Sequence, residues 1–344
     1  MANIAKKFIQ KSRDHLLRDI IHANSKTLNE IGNLERKIGE VEKNLHNTHL
    51  EINHNQKQFL EDLDKRVKNS GTLVLSETEM LTKIFSGLKM FLDPRDIAVA
   101  SHIALDTIWE HQITTAWIAT VQKHDTVLDI GSNFGYFGAL AAQLTDKKKS
   151  KVVHFEANPH LIPYIRKTLA INWLNEQSVV ENLAVGDKDG KLTLNLLKDY
   201  VGSSSVLPLE HTATYMKDKM HLEKAEAITV KATSIDNYCK AHEIKTVDLI
   251  KMDIEGFEDK AYAGMRKVVQ ASPSLTLFIE FTKDSYANPK AFYEQMLKDF
   301  GHVYTIDDEG YIVKAKNSSY EAIIGDADDW VMPIFSKKAN IATR

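Results

Sequence analysis

From residue 121 onward, short apolar runs alternate with stretches of helical spacing: VLDIG, VVHFEA, VVENLAVG, VDLIKMD and LTLFIEF. Strands of this kind separated by helices imply a doubly wound, mostly parallel sheet with helices on both faces. A sheet so built binds its ligands beyond the carboxyl ends of the strands. The residues that close each apolar run are therefore the candidates for chemistry.

The first run, Thr126–Ile130, leads through Asp129 and Ile130 into Gly131-Ser132-Asn133-Phe134-Gly135. Glycines at 131 and 135 let the chain turn sharply and bring backbone close to a ligand. A helix beginning near Phe134 would then present free N–H groups to that ligand. The dinucleotide fingerprint requires glycine at position 133, where this chain has Asn133. The D-x-G-x-x-x-G arrangement suits an amino-acid-bearing nucleoside such as S-adenosylmethionine, and Asp129, Gly131, Ser132, Asn133 and Gly135 are its candidate contacts. The second run, Val152–Phe155, ends in Glu156, a carboxylate placed to accept both ribose hydroxyls. The third, Val179–Leu183, puts Asn182 and Ala184 where an adenine edge would lie.

The last two runs end in acids. Asp253 follows Val247–Met252, Glu255 lies just beyond it, and Glu280 closes Leu275–Ile279. Transfer to a hydroxyl needs a group that orients the acceptor or removes its proton. Asp253, Glu255 and Glu280 are the catalytic candidates, with Asp253 foremost. The same three oxygen donors suit a hard divalent cation, a reading less favoured, and Asp253 has Lys251 within reach as an alternative partner. Glu258 reads as a helix-start charge. Among the histidines, His46, His49 and His54 read as solvated and His154 as packing. His211 is a weaker base candidate, in an over-long segment at 198–224 that suits a substrate lid. Cys239 reads as buried and inert within a helix over Ser234–His242.

The first seventy residues follow a different rule. They contain no proline, and a three-four spacing runs through Leu17, Ile20, Asn24, Thr27, Ile31, Leu34, Ile38, Val41, Leu45, Thr48, Ile52, Asn55 and Phe59. This stripe outlasts the roughly three to four heptads that identify a coiled coil, and an isolated helix cannot bury it. The expectation is a coiled-coil stalk over 1–70 that makes the chain a homo-oligomer through residues 17–59. A helix folded back on its own chain is the alternative. Residues 71–120 are expected to form a helical connector, with Ser76 and Glu79 as a capping box, and 121–344 the catalytic domain.

A net charge of -3 gives the chain no general attraction to nucleic acid. Basic residues near the N-terminus lack the apolar run of a secretory leader, and no run reaches the ~18–20 residues of a membrane span. With Cys239 the single cysteine, the expectation is a soluble cytoplasmic protein without transmembrane segments.

Several ordered blocks resemble the FkbM family of methyltransferases over about residues 109–282. Trp109-Glu110 is similar to its opening element, and VLDIGSNFGYFG to its D-I-G-A-N-x-G loop, with Ser132 in place of alanine. HFEANP is similar to its F-E-P-N-P block, with Ala157 replacing proline. ENLAVGD, the serine run at 203–206 and ATSIDNY match later elements. Most specific is LIKMDIEGFE at 249–258, against I-K-x-D-x-E-G-x-E. The resemblance implies a class I, Rossmann-like methyltransferase fold, S-adenosylmethionine as cofactor, and methylation of a hydroxyl on a saccharide or related natural product. A non-catalytic coiled-coil scaffold retaining the fold is the competing reading, as is a nicotinamide enzyme, which Asn133 disfavours.

Overall fold

The computed structural model describes residues 71–197, 225–325 and 330–341, together with Arg36, Lys37, Gly39, Glu40, Lys43 and Asn44. The chain divides into two units, Met1–Lys68 and Asn69–Arg344. In the first unit the six described residues are helical and exposed. The apolar seam from Leu17 to Phe59, the three histidines at 46, 49 and 54, the serine run at 203–206 and the 198–224 segment with His211 lie outside the described residues.

The second unit opens with an antiparallel meander of β1 (Leu73–Ser76), β2 (Glu79–Lys83) and β3 (Lys89–Leu92). This corrects the expectation of helix over this part of 71–120. Met80, Thr82 and Ile84 are buried at alternate positions, the period of a strand rather than a helix. Ser76 accepts the Thr78 N–H at 3.2 Å and serves a hairpin turn, so the Ser76/Glu79 spacing marks no helix start. Helices α1 (Val99–Asp106) and α2 (His111–Thr120) follow, as expected for the second half of that segment.

The α/β alternation then runs β4 (Thr126–Ile130), α3 (Tyr136–Leu144), β5 (Lys151–Phe155), α4 (Ile162–Ile171) and β6 (Ser178–Glu181). The chain leaves the main sheet to make a small one from β7 (Ala184–Val185), β8 (Gly190–Leu197) and β9 (Ala225–Thr233). It returns through α5 (Ile235–Ala241), β10 (Leu249–Met252), α6 (Glu258–Ala263), α7 (Arg266–Ala271) and β11 (Thr276–Ile279). Helix α8 (Pro289–Phe300), β12 (His302–Ile306), β13 (Ile312–Lys314), α9 (Tyr320–Ile323) and β14 (Ile334–Ser336) complete the unit.

The main sheet has eight strands in the order β13-β12-β14-β11-β10-β4-β5-β6. The five from β11 to β6 are parallel, and β14 is antiparallel to both neighbours. From β4 the chain winds outward to β5 and β6, then crosses back to β10 on the other side. The order reverses between β4 and β10, so the ligand crevice of such a sheet opens beyond their carboxyl ends. Because side chains alternate along a strand, Val127 and Leu249 feed one core layer and Leu128, Ile130, Ile250 and Met252 the other.

Trp117 of α2 ties the first elements to the sheet. It is fully buried, its indole N–H donates to Phe137 O at 3.0 Å, and its ring meets Phe137 and Phe278 edge-on at 6.0 and 5.4 Å. The region before residue 121 is thus part of one core with the sheet. Trp117→Ala should cost about 3–5 kcal/mol of stability, the usual toll of emptying so large a buried site. Urea denaturation checks this: a loss below about 1 kcal/mol would show that 71–120 folds independently of the sheet.

Candidate active site

Register across the sheet assembles the site. Phe278, Lys251, Asp129 and His154 stand side by side on β11, β10, β4 and β5, and Asp253, two residues after Lys251, continues on the same face. Helix α3 covers this row at very close range. A Cβ on Gly138 would come within 2.3 Å of the His154 ring and 2.8 Å of Asp129 Oδ2, so only glycine fits there. The Gly138 N–H donates to Asp129 Oδ2 at 2.9 Å. His154 is fully buried, 3.9 Å from the same oxygen, and neither ring nitrogen makes a hydrogen bond among the described residues. Burial holds its pKa down to about 4, so the ring is neutral and packs, as expected. Burial likewise lifts Asp129 to about 6, against the pull of Lys251.

The loop after β4 is shaped by its neighbours. Gly131 has φ +83°, and a Cβ there would lie 1.7 Å from the backbone oxygen of Asp253. No other residue lets the loop pass so close to the end of β10. Gly131 and Ser132 donate their N–H groups to Phe155 O, and Ser132 Oγ donates to Asp129 O at 2.8 Å. Glu156 closes the loop from β5. Its two carboxylate oxygens accept the Asn133 and Asn158 N–H groups, each at 2.7 Å. With about four acceptor positions on a carboxylate, capacity remains for a ligand hydroxyl. Burial raises Glu156 to about 7 despite those bonds. Asn182 binds the end of β5 through its amide, donating to Glu156 O and Ala157 O at 2.9 and 3.1 Å. Ala184 begins β7 and is buried with Leu194, Leu196, Val230 and Ala232 in the small sheet's core.

At the end of β10, Lys251 is buried and its Nζ lies 2.7 Å from Asp253 Oδ2 and 4.5 Å from the centre of the Phe137 ring. Burial alone would lower the Lys251 pKa, but the carboxylates of Asp253 and Glu110 outweigh it and hold the ammonium charged. Burial works against ionisation of Asp253 too. There the Lys251 charge and a hydrogen bond donated by the Glu280 carboxyl prevail, keeping Asp253 below the usual carboxylate range. The neighbours go the other way: burial and the Asp253 charge raise Glu255 to about 8 and Glu280 well above normal. The sequence candidates Asp253, Glu255 and Glu280 are therefore brought together, the first held ionised and the other two keeping their protons to higher pH.

Sequence reasoning missed two members of this group and misjudged a third. Glu110, just before α2, feels the charges of Lys251 and Asp253, and burial raises it to about 7. Tyr286 donates to Glu258 Oε2 at 2.8 Å. Glu258 is more than a helix-start charge, because it is 1% exposed and accepts the Ile254 and Gly256 N–H groups at 2.9 and 3.3 Å. It ties down the loop that carries Asp253 and Glu255, the latter at φ +56°. Among the described residues no group of three metal-ligating side chains is arranged to hold a metal ion, and no helix is long and apolar enough to cross a membrane.

The family model for the methyltransferase FkbM domain matches residues 129–313, more than half of the chain. The chain belongs to the FkbM methyltransferase family. The 2-O-methyltransferase NoeI of Sinorhizobium fredii is 24% identical over 159 residues, covering 44% of this FkbM chain and 62% of the relative's own length. Among solved structures, the FkbM methyltransferase of Methylobacillus flagellatus covers 62% of this chain and 43% of its own at 14% identity and a TM-score of 0.35. TYW2 of P. horikoshii in complex with MeSAdo covers 77% and 74% at 12% identity and a TM-score of 0.38. Membership of this methyltransferase family points to S-adenosylmethionine as the cofactor, and the chain's residues fit it. The buried Glu156 carboxylate faces the glycine loop, accepting the Asn133 N–H, where ribose hydroxyls would be received.

The raised carboxyl pKa values make folding sensitive to pH. Glu156, Glu258 and Glu255 hold protons in the folded chain that the unfolded chain releases above about 4.5, so stability falls as pH rises toward 7–8. His154, depressed to about 4 from 6.5, acts oppositely and only below 6.5. Between pH 6.5 and 8.5 the carboxyls alone remain. The melting temperature of the cofactor-free chain should drop across that window by several degrees, at roughly 2–4 °C per kcal/mol. Calorimetry on Glu255→Gln should show a flatter profile, and an unchanged slope would remove Glu255 from this group.

Proposed function

We propose that this chain is an O-methyltransferase that moves a methyl group from S-adenosylmethionine to a hydroxyl of a saccharide or related natural product. The observation that carries the reading is Asp253, held ionised by the buried Lys251 at the crevice beside the Gly131 loop. Bound there, the cofactor supplies an electrophilic methyl on a sulfonium. Glu156 receives the ribose hydroxyls, and the backbone from Gly131 to Gly135 lies along the nucleoside. Asn182 sets the end of β5 for the adenine side, with Ala184 behind it. Asp253 accepts a hydrogen bond from the acceptor hydroxyl and fixes the direction of its oxygen. Held at low pKa, Asp253 is a weak base. The hydroxyl proton therefore passes to the Asp253 carboxylate only as the oxygen–methyl bond forms, the methyl–sulfonium bond breaks and the oxygen turns acidic, while Glu255 and Glu280 keep their own protons. Support for oxygen as the acceptor atom comes from the name of the relative, a 2-O-methyltransferase. The saccharide class rests on the family resemblance.

Asp253→Asn keeps the shape and removes the charge. Turnover with labelled cofactor over a glycan panel should fall by about 10²-fold or more, while the cofactor Kd stays within about threefold. Full turnover in this variant would take Asp253 out of the reaction.

The heptad stripe at 17–59 supports a second part of the reading, a homo-oligomeric stalk that leaves the catalytic unit in a reducing, cytoplasmic setting. Ile31, Leu34, Ile38 and Val41 form its most continuous portion. Burying such side chains between helices contributes roughly 1.5–3 kcal/mol each when fully covered. Replacing Ile31 and Ile38 by Asp would place unpaired charges in the seam. Light scattering should report an oligomer for the whole chain and a monomer for Ile31→Asp/Ile38→Asp or for a chain starting at residue 71. A monomeric whole chain would favour the helix packing on its own catalytic unit.

A further inference from the structure

Glu110 stands between Trp109 and α2 with φ +44°, a left-handed conformation that a residue with a side chain adopts only when its surroundings hold it there. The surroundings are explicit. The Trp109 N–H is donated to Tyr136 Oη at 3.2 Å, the Glu110 carbonyl accepts the Thr114 N–H at 2.8 Å, and Thr114 Oγ1 donates to Trp109 O. Tyr136 is the first residue of α3, directly after the glycine loop. The Glu110 backbone is therefore held next to that loop.

The Glu110 Oε2 atom is buried and has no hydrogen-bond partner among the described residues. Leaving a carboxylate oxygen in that condition is costly. The nearby cation does not relieve it, because Lys251 is bonded to Asp253 and capped by the Phe137 ring. Glu110 nevertheless lies close enough for its charge to act on Lys251 and Glu255. The carboxylate thus lies near the acids and lysine at the end of β10, and the order of strands puts β5, which leads into Glu156, on the far side of β4.

Resting on the cofactor reading above, we propose that Glu110 binds the α-ammonium at the amino-acid end of S-adenosylmethionine. With the ribose at Glu156, the amino-acid end runs across the glycine loop toward β10. The ammonium is the one cationic hydrogen-bond donor the cofactor possesses, since the sulfonium carries no N–H. A charge-assisted bond to it satisfies the oxygen that the protein leaves without a partner.

Two ligands separate this role from a structural one. S-adenosylhomocysteine carries the ammonium, whereas 5′-methylthioadenosine has the same nucleoside and thioether without the amino-acid end. Titration calorimetry on the full chain should show Glu110→Gln weakening S-adenosylhomocysteine by about 10- to 100-fold, the range for a lost bond to a charged group. The affinity for 5′-methylthioadenosine should change by less than about twofold. Equal weakening of both ligands, or none for S-adenosylhomocysteine, would overturn the assignment. Should the variant fail to fold, the deaminated analogue of S-adenosylhomocysteine, titrated into the unaltered chain, replaces it. A tenfold or greater loss supports Glu110, and equal affinity overturns it. An unaltered chain that binds none of these nucleosides rejects the cofactor reading itself, and this assignment with it.

Discussion

The buried ion pair between Lys251 and Asp253 is the interaction on which the site depends. Taking a lysine ammonium out of water costs several kcal/mol, and only close, well-aligned opposite charge offsets it. The offset comes from Asp253 at 2.7 Å, the carboxylate of Glu110 and the face of Phe137. One consequence is a division of labour among acids of similar chemistry. The acid paired with the lysine is ionised, and those crowded around it, Glu255 and Glu280, keep their protons to higher pH. Another is geometric. The pair sits at the end of β10, where only a glycine at 131 lets the preceding loop pass. The glycine loop and the acidic cluster are thus brought together where the strand order reverses between β4 and β10.

Much of this was legible in the sequence, because buried parallel strands are continuous apolar runs whose ends are marked by a change of residue type. Thr126–Ile130 matches β4 without a shift, and Glu156, Asp253 and Glu280 stand at strand ends as read. The third strand was read too far. Asn182 lies past β6, because its amide is used to bind the end of β5 and the chain then turns away into the small sheet. Residues 73–92 were misread because a serine three positions before a glutamate has the same spelling in a helix cap and in this hairpin. The two-residue alternation of Met80, Thr82 and Ile84 was the discriminating signal.

Other features had no local signature. The pairing of Lys251 with Asp253 is the exception, since their spacing of two offers the lysine as a partner for the acid. Nothing near Glu110 in the sequence announces a buried carboxylate, since its neighbours in the site, Lys251 and Asp253, come from a distant part of the chain. The role of Glu258 was hidden in the same way. A glutamate at a helix start ordinarily faces solvent, but here Tyr286 folds over it and the loop N–H groups turn inward to meet it.

Family membership points to methyl transfer, and on the reading proposed above the acids give that chemistry a direction across the sheet, from Glu156 after β5 to Asp253 after β10. The most direct test is a crystal structure of the full chain with S-adenosylhomocysteine. The ribose hydroxyls should lie on Glu156 and the thioether sulfur should face the Lys251–Asp253 pair across the Gly131 loop. A nucleoside bound away from Glu156, or a sulfur turned from that pair, would contradict the account.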